Sequence, residues 1–145
     1  MKLVVFKEVA TRIPATRIRR LFRMITTAEA KGGRRSHVNL IVAGDRRLRE
    51  LNRKYRRRDR TTDVLSFNLD PLDEPGGVFG EIYISAARAI RQAREYQTSV
   101  ADEFLRLFCH GLLHLFGYDH HEARQAARMQ RRQDSFLGRL ERSVR

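Results

Sequence analysis

The feature that most restricts how this chain can fold is the segment FLRLFCHGLLHLF, residues 104–116, which is apolar at almost every position. A serine at 99 and an aspartate at 102 have the spacing of a capping box, so the sequence predicts a helix that starts there and carries the segment. His110 and His114 stand inside this apolar stretch, and His120 follows it closely. Imidazole side chains are polar, so their presence in an apolar segment needs a physical explanation.

The spacing of the three histidines predicts a metal site. Helical residues four apart lie about 40° apart around the axis and about 6 Å apart along it, so His110 and His114 project together. Gly117 lets the chain leave the helix through a conformation that most residues avoid, and His120 can then fold back beside the other two. The same offsets, with glycine in register, occur in HExxHxxGxxH metalloproteases. One buried histidine is usually a core residue, but three at this spacing favour a catalytic zinc site with an open position.

Gly111 occupies the position at which HExxH metallopeptidases carry the glutamate that acts as general base. That base is missing from this chain. A zinc ion lowers the pKa of its bound water to about 7 without a carboxylate. Three neutral histidines leave the full charge of the zinc ion in place, which suits an anionic substrate better than a peptide.

Other polar or reactive residues near the histidines are weaker candidates. Cys109 is predicted to be a buried, inert thiol, because neighbouring helical residues point about 100° apart. Glu103 shares a helical face with the first histidine but lies about 10 Å away along the axis, too far to bind the same ion. Asp119 can orient a ligand or simply help to form the turn. His121 is predicted to be solvated, and His37 to be an ordinary residue on the polar side of its strand.

The composition narrows the partners and the location. The chain has 30 basic and 17 acidic residues, and its formal net charge is +13. This excess favours a polyanionic partner, of which nucleic acid is the commonest, although an arginine-rich proteome gives a similar surface. The length fits a single domain, 1–145, and the one cysteine excludes an internal disulfide. The apolar runs are too short for a signal peptide or a membrane-spanning helix, so we expect a cytoplasmic protein without a membrane partner.

The order of the predicted elements favours an α+β fold. Strands are predicted over 2–6, 36–43, 62–67 and 80–85, and helices over 16–30, from about 45, 85 and 99, and over 122–140. Strands and helices neither alternate strictly nor cluster, which predicts one small mixed sheet packed with about five helices. Gly32 and Gly33 are expected to end the first helix, and Asp70, Asp73 and Glu74 to be solvated in a loop.

Finer local predictions concern caps and buried faces. Thr16, Asp45 and Ser85 are each expected to cap a helix. The apolar stripes of the second and third helices place Tyr55 and Ile90 on buried faces.

Several motifs together carry a resemblance to a known family. The stretch HGLLHLFGYDH, residues 110–120, has the H-G-x-L-H-L-x-G-Y-D-H pattern of the YbeY family of bacterial metal-dependent endoribonucleases. LNRKYR at 51–56, TDVLSF at 62–67 and GEIYIS at 80–85 are similar to further motifs of that family. Met129 stands where the family has a methionine, and the resemblance covers roughly residues 38–137.

The resemblance implies a fold, an activity and a set of site residues. It implies an α+β fold with zincin-like site geometry, one zinc ion on His110, His114 and His120, and cleavage of single-stranded RNA. It also implies work in small-subunit ribosomal RNA maturation and ribosome quality control, with ribosomal RNA or the ribosome as partner. The functional arginine of the family follows the tyrosine of the LN-x-x-YR motif, which corresponds to Arg56.

Arg56 also fits a nuclease by its own chemistry, because a planar guanidinium binds two phosphate oxygens at once and stays charged. It stands at the start of the run RRRDR, residues 56–60, which keeps Arg57 and Arg58 open as alternatives. The favoured interpretation is that Arg57, Arg58 and Arg60 lie in a solvated basic loop and attract the RNA backbone diffusely.

The chain departs from the family pattern away from the histidines. Thr61 and Asn68 stand where the family usually has proline, and Glu81 replaces the usual aspartate. Ser66 is predicted to be structural, although the strand that carries it could edge the cleft.

The sequence as a whole predicts a zinc-dependent, single-strand-specific endoribonuclease. Because no base for the ribose 2′-hydroxyl is evident once the histidines bind metal, attack by a metal-activated water is favoured. One alternative is a zinc peptidase of metzincin geometry, against which Gly111 counts. The other is a non-catalytic, ribosome-associated RNA-binding protein with a structural zinc, against which the three ligands and the lack of cysteine pairs count.

Overall fold

The computed structural model of the chain describes residues 1–31, 35–69 and 77–143. Over these residues the elements are β1 (Lys2–Lys7), α1 (Ala15–Glu29), β2 (His37–Ala43), α2 (Asp45–Arg56), β3 (Val64–Asn68), β4 (Phe79–Ser85), α3 (Ala86–Glu95), α4 (Val100–Leu115) and α5 (Ala123–Ser143). The predicted α+β fold, a small mixed sheet with about five helices, is confirmed. The predictions for Gly32, Gly33, Asp70, Asp73 and Glu74 fall outside the described residues.

The sheet has the strand order β1-β2-β4-β3. β1 pairs with β2 and β2 with β4 in parallel, and the helices between them provide the crossovers that parallel pairs require. β3 pairs with β4 in the antiparallel direction, with Ser66 opposite Ile82. β3 is therefore an edge strand, and the candidate site forms beside it.

Helix α4 lies at the centre of the main core. It packs against α1, α3 and α5 and against β3 and β4. Phe104, Phe108 and Leu112 are fully buried, which explains the apolar character of the segment that carries the histidines. No helix in the described part of the chain, α4 included, is long and apolar enough to cross a membrane.

The opposite face of the sheet carries a smaller apolar cluster, in which Leu48 and Leu51 of α2 pack near Tyr83 of β4. The apolar stripe of α2 ends there, because the cluster does not extend under the last turn of the helix. Tyr55 is 58% exposed, so the prediction that it is buried was wrong. Ile90 on α3 is 40% exposed, and the prediction for it was also wrong, since the buried face of α3 consists of alanines.

Two of the predicted helix caps are confirmed. The Ser85 hydroxyl accepts a hydrogen bond from the backbone N–H of Arg88 at 3.1 Å, at the start of α3. The Ser99 hydroxyl accepts one from the N–H of Asp102 at 3.0 Å, at the start of α4. The helix that carries the histidines thus begins where the sequence predicted.

Two other predicted caps were wrong. α1 begins at Ala15 with Pro14 at the cap position, so Thr16 lies inside the first turn. Gly44, not Asp45, precedes α2. The Asp45 carboxylate lies in the first turn, where the helix dipole favours it, and accepts a hydrogen bond from Ser85 of the neighbouring strand.

Candidate metal centre and arginine-lined cleft

A Schellman turn at the end of α4 brings the third histidine back to the other two. The N–H of Tyr118 donates to the carbonyl of Leu113 at 3.1 Å, and the N–H of Gly117 donates to that of His114 at 3.0 Å. Gly117 has φ +100°, a conformation that L-residues rarely adopt, so its predicted role is confirmed. The Tyr118 hydroxyl donates to Glu29 of α1 at 2.9 Å, which anchors the turn to the core.

The three histidines form one cluster. One ligand atom from each of His110, His114 and His120 lies within 4.8 Å of the others, an arrangement that can hold a metal ion. The Nε2 atoms of His110 and His114 are 3.0 Å apart. The ring centroid of His120 lies 5.6 Å from that of His110 and 4.9 Å from that of His114.

Hydrogen bonds hold two of the imidazoles with Nε2 directed into the cluster. The Nδ1 of His114 lies 2.8 Å from the carbonyl oxygen of Tyr118, which can only accept, so Nδ1 carries the proton. The Nδ1 of His110 donates in the same way to Oε1 of Gln133 at 3.2 Å. Both Nε2 atoms then present lone pairs to each other at 3.0 Å. Such a pair repels unless a cation lies between them, so the donor set fits a metal ion.

Gln133 was not identified from the sequence. It is 3% exposed and comes from α5, more than twenty residues after the histidine that it orients. A signal was present, because Gln133 is the polar member of the buried stripe that also contains Met129 and Phe136. A buried amide on such a stripe needs a partner, and here the partner is an imidazole.

Burial favours the neutral form of His110 and His114. Burial, with help from neighbouring His114, lowers the pKa of His110 to about 4. Burial also lowers the pKa of His114 below its ordinary value. Neutral imidazole is the form that binds a metal ion, so both rings are ready to coordinate at neutral pH.

The metal-free protein is expected to lose stability as the pH falls from 6.5 toward 4. His110 takes up a proton near pH 6.5 when unfolded but only near about 4 when folded, so acid favours the unfolded state across this window. Above pH 6.5 the contribution of His110 to the free energy of unfolding no longer changes with pH. At about pH 5 the free energy of unfolding is lower by about 2 kcal/mol because of this residue. Urea unfolding of the metal-free wild type and of His110→Gln at both ends of the window measures it. Equal losses in the two proteins would contradict a buried neutral His110.

Close packing against the sheet explains why position 111 is a glycine. A Cβ there would lie 2.8 Å from Cγ2 of Ile82 and 3.0 Å from Oγ of Ser66, because α4 packs closely on β3 and β4. The Ser66 hydroxyl also donates to the Gly111 carbonyl at 2.8 Å, which confirms its structural role. Position 111 therefore faces the sheet, and a glutamate side chain has no room there.

Gly111→Ala is expected to destabilise the protein by about 1–3 kcal/mol, because the added methyl group overpacks the contact between α4 and the sheet. Its gain in helix propensity, up to about 1 kcal/mol, offsets only part of this cost. Gly138→Ala on α5 is the matched control, since its new methyl would meet only the flexible end of Arg142 at 3.3 Å. Urea unfolding should show a loss for the first variant and none for the second. A Gly111→Ala variant with the same free energy of unfolding as the wild type would contradict the close packing.

Most of the weaker candidates lie where the sequence placed them. Cys109 is fully buried, and burial raises the pKa of its thiol to about 12. The side chain of His121 is 80% exposed. Asp119 accepts a hydrogen bond from the backbone N–H of His120 at 2.7 Å, so it supports the turn. Glu103 is buried, and its carboxylate accepts two hydrogen bonds from the Arg106 guanidinium, each 2.7 Å long.

The histidine cluster opens into a cleft of about 790 Å³, which we term the metal cleft. Arg56, Arg58 and Arg60 line it together with the three histidines. Arg56 is exposed, and its Nη2 donates to the carbonyl of Ser66 at 2.9 Å. The cleft therefore brings cationic side chains beside the candidate metal site. Arg58, which the sequence left open as an alternative to Arg56, and Arg60 both share it with Arg56.

Asn52 shapes the arginine segment and was also missed by the sequence analysis. It is 4% exposed, and its Nδ2 donates to the carbonyl of Arg60 at 2.9 Å. The backbone carbonyl of Asn52 accepts hydrogen bonds from the backbone N–H groups of Arg57 and Arg58, the latter at 3.2 Å. Arg57 takes the left-handed conformation, φ 55°, that turns the chain after α2. Arg57 is not among the residues that line the metal cleft in the described structure.

The fold and the site define a class: α+β proteins in which one helix and the turn after it bring three histidines together in a zincin-like site. The family model described as Endoribonuclease YbeY matches residues 5–141, and the chain belongs to this family. The resemblance seen in the sequence motifs is thereby confirmed.

Individual relatives agree with this assignment. The protein named Endoribonuclease YbeY from Moorella thermoacetica is 42% identical over 129 residues, which cover 83% of this chain and 82% of that one. Its namesake from Anaeromyxobacter sp. is 44% identical over 107 residues, which cover 72% of this chain but only 54% of that longer protein. The solution structure of TM1509 from Thermotoga maritima is 28% identical, with a TM-score of 0.61 over 95% of this chain and 88% of that one.

Proposed function

We propose that this chain is a zinc-dependent endoribonuclease that cuts single-stranded RNA during small-subunit ribosomal RNA maturation and ribosome quality control. One observation carries the proposal: His110, His114 and His120 lie together in an arginine-lined cleft, and the Nε2 atoms of the first two face each other. Membership of the YbeY family, whose relatives are named endoribonucleases, supports the reaction type. The ribosomal role, the single catalytic domain 1–145 and the cytoplasmic location rest on the family resemblance and the sequence.

His110, His114 and His120 would hold the zinc ion. When bound, zinc supplies a Lewis acid for a phosphoryl oxygen and lowers the pKa of a water molecule to about 7. Gln133 and the Tyr118 carbonyl keep the imidazoles in the tautomer that leaves Nε2 free. Gln133 and the Tyr118 carbonyl thus act through the imidazoles that they position.

Arg56 is proposed to bind the phosphate that is cut. Its guanidinium lies in the same cleft as the histidines, and one of its five N–H donors is used on the Ser66 carbonyl. The other donors can take two phosphate oxygens at once and stabilise the charge that grows on them in the transition state. Arg58 and Arg60 add positive charge that attracts the RNA backbone.

The cleft supports a nuclease over the two alternatives. A peptidase of metzincin geometry needs a glutamate at position 111, where the sheet leaves no room for a side chain larger than glycine. A purely structural zinc is normally enclosed by four protein ligands. Here His120 is exposed and the cluster faces an open cleft, which suits a metal that meets a substrate.

Single-stranded RNA should be cut much faster than the same sequence in a duplex. Unpaired RNA bends into a cleft and presents one phosphate to the metal, whereas a duplex is stiff and presents mainly its outer shape. A labelled RNA, cut alone and after annealing to its complement, measures the difference in the presence of zinc. Binding should also weaken steeply as salt is added, because the chain carries a charge of +13. Equal cutting of both forms, or casein hydrolysis without action on RNA, would refute the proposal.

A further inference from the structure

A second groove lies on the other face of the edge strand β3, between α2 and the sheet. Its volume is about 780 Å³, and we term it the aromatic groove because Tyr55, Phe67 and Tyr83 line it. No step of the proposed cleavage reaction uses these rings.

The three rings form a continuous platform. The ring centroids of Tyr55 and Phe67 are 5.4 Å apart, and those of Phe67 and Tyr83 are 5.9 Å apart, both in edge-on geometry. Tyr83 is 8% exposed, whereas Tyr55 is 58% exposed at the open end of the series. Tyr55 is thus an exposed ring held by the partly buried Phe67, which packs on the buried Tyr83, and such a ring is a surface on which a flat ligand can stack.

Cations surround this platform. The Lys54 ammonium lies 5.2 Å from the Tyr55 ring centre, the Arg56 guanidinium 5.6 Å from Phe67, and the Arg47 guanidinium 5.9 Å from Tyr83. Glu50 and Glu81 also line the groove, and Glu81 accepts a hydrogen bond from the Tyr83 hydroxyl at 3.3 Å. Arg53 lines the groove as well, so among the described lining residues three cations, Arg47, Arg53 and Lys54, stand against two carboxylates. Aromatic rings interleaved with cations are the arrangement by which proteins bind the bases and phosphates of single strands.

The aromatic groove adjoins the metal cleft at the edge strand β3. Ser66 lines the metal cleft, the next residue, Phe67, lines the aromatic groove, and Asn68 lines both. Arg56 spans the boundary, because it lines the cleft while its guanidinium lies against the Phe67 ring. A flexible chain that crosses this edge strand can contact both sites.

We infer that the aromatic groove binds nucleobases of the same single-stranded RNA whose phosphate lies in the metal cleft. This inference rests on the proposed endoribonuclease function and adds a subsite to it. Tyr55 provides the stacking surface for a base, and the surrounding cations bind the adjoining phosphates. Duplex RNA cannot use the subsite, because its bases are already stacked on each other, so the groove also favours single strands.

The test compares Tyr55→Ala with two matched variants. Tyr55→Phe keeps the ring. Tyr96→Ala removes a similarly exposed tyrosine, 62% exposed and likewise beside a cationic side chain, that lines neither groove. The probe is a fluorescent single-stranded RNA of roughly 12 nucleotides, within the site sizes of single-strand-binding folds. Its dissociation constant is measured with metal-free protein, and kcat and KM with the zinc-loaded enzyme.

We expect Tyr55→Ala to weaken binding and raise KM by about tenfold, with kcat nearly unchanged, as loss of one base stack does. Tyr55→Phe and Tyr96→Ala should resemble the wild type, and all variants should keep their zinc. RNA carrying 5-iodouridine should form photoadducts at Tyr55 or Phe67. Unchanged binding by Tyr55→Ala, with adducts only in the metal cleft, would overturn the subsite while leaving the nuclease intact. A wild type that binds RNA at Tyr55 without cutting it would instead count against the proposed function alone.

Discussion

His114→Ala is expected to lose the bound zinc and almost all RNA cleavage. His114 is the central member of the cluster, 3.0 Å from His110 through its Nε2 and 4.9 Å from His120 between ring centroids. Removing it leaves two ligands. Losing a group that only hydrogen-bonds to a ligand costs roughly 10–100-fold in metal affinity or activity, and losing the ligand itself should cost more. Metal analysis of the purified protein gives the zinc content, and cleavage of single-stranded RNA gives the activity. His110→Ala and His120→Ala should behave in the same way.

His121→Ala and His37→Ala are the matched controls. The His121 side chain is 80% exposed beside the cluster, and the His37 ring packs edge-on against Phe79 on β2 and β4. Neither belongs to the cluster of three, so both variants should keep close to one zinc ion per chain. If His121→Ala emptied the site while His120→Ala left it full, the assignment of the third ligand would be wrong.

Arg56→Ala is expected to reduce cleavage by about 10²–10³-fold, the usual cost of removing a donor that stabilises transition-state charge. The fold should persist, because Arg56 is exposed and its hydrogen bond to the Ser66 carbonyl is made at the edge of the sheet. Zinc content should also persist, since Arg56 lies outside the ligand set. Kinetics on single-stranded RNA, with zinc analysis and thermal unfolding of the same sample, separate the three effects.

Arg58→Ala and Arg60→Ala are the comparison for Arg56. Both residues line the metal cleft, so their loss should weaken RNA binding modestly and reduce its salt dependence. A loss of cleavage in Arg58→Ala equal to that in Arg56→Ala would show that the arginine run acts as a whole and would refute a special role for Arg56.

The sequence predicted the features that depend on short-range geometry. The spacing of the histidines, the cap at Ser99 and the glycine turn at Gly117 each involve residues within one or two helical turns. Their structure follows from local backbone rules, which explains why the predicted grouping of His110, His114 and His120 appears in the fold.

The sequence could not predict features that depend on contacts between distant elements. The lack of space at Gly111 comes from Ile82 and Ser66, which are far from it in sequence. Gln133 orients His110 only because α5 returns along α4. Tyr55 has the right spacing for a buried stripe, but the sheet face beneath α2 carries too small a cluster to cover it.

The most direct test of a metal-dependent nuclease is to remove zinc from the wild type with a chelator and return it in steps while cleavage of single-stranded RNA is followed. We expect cleavage to disappear with the metal and to recover in proportion to bound zinc, up to one ion per chain. His114→Ala, treated in the same way, should not recover. Wild type that cuts RNA at its full rate without metal, or His114→Ala that cuts it normally, would contradict the proposal that the three histidines hold a catalytic zinc ion.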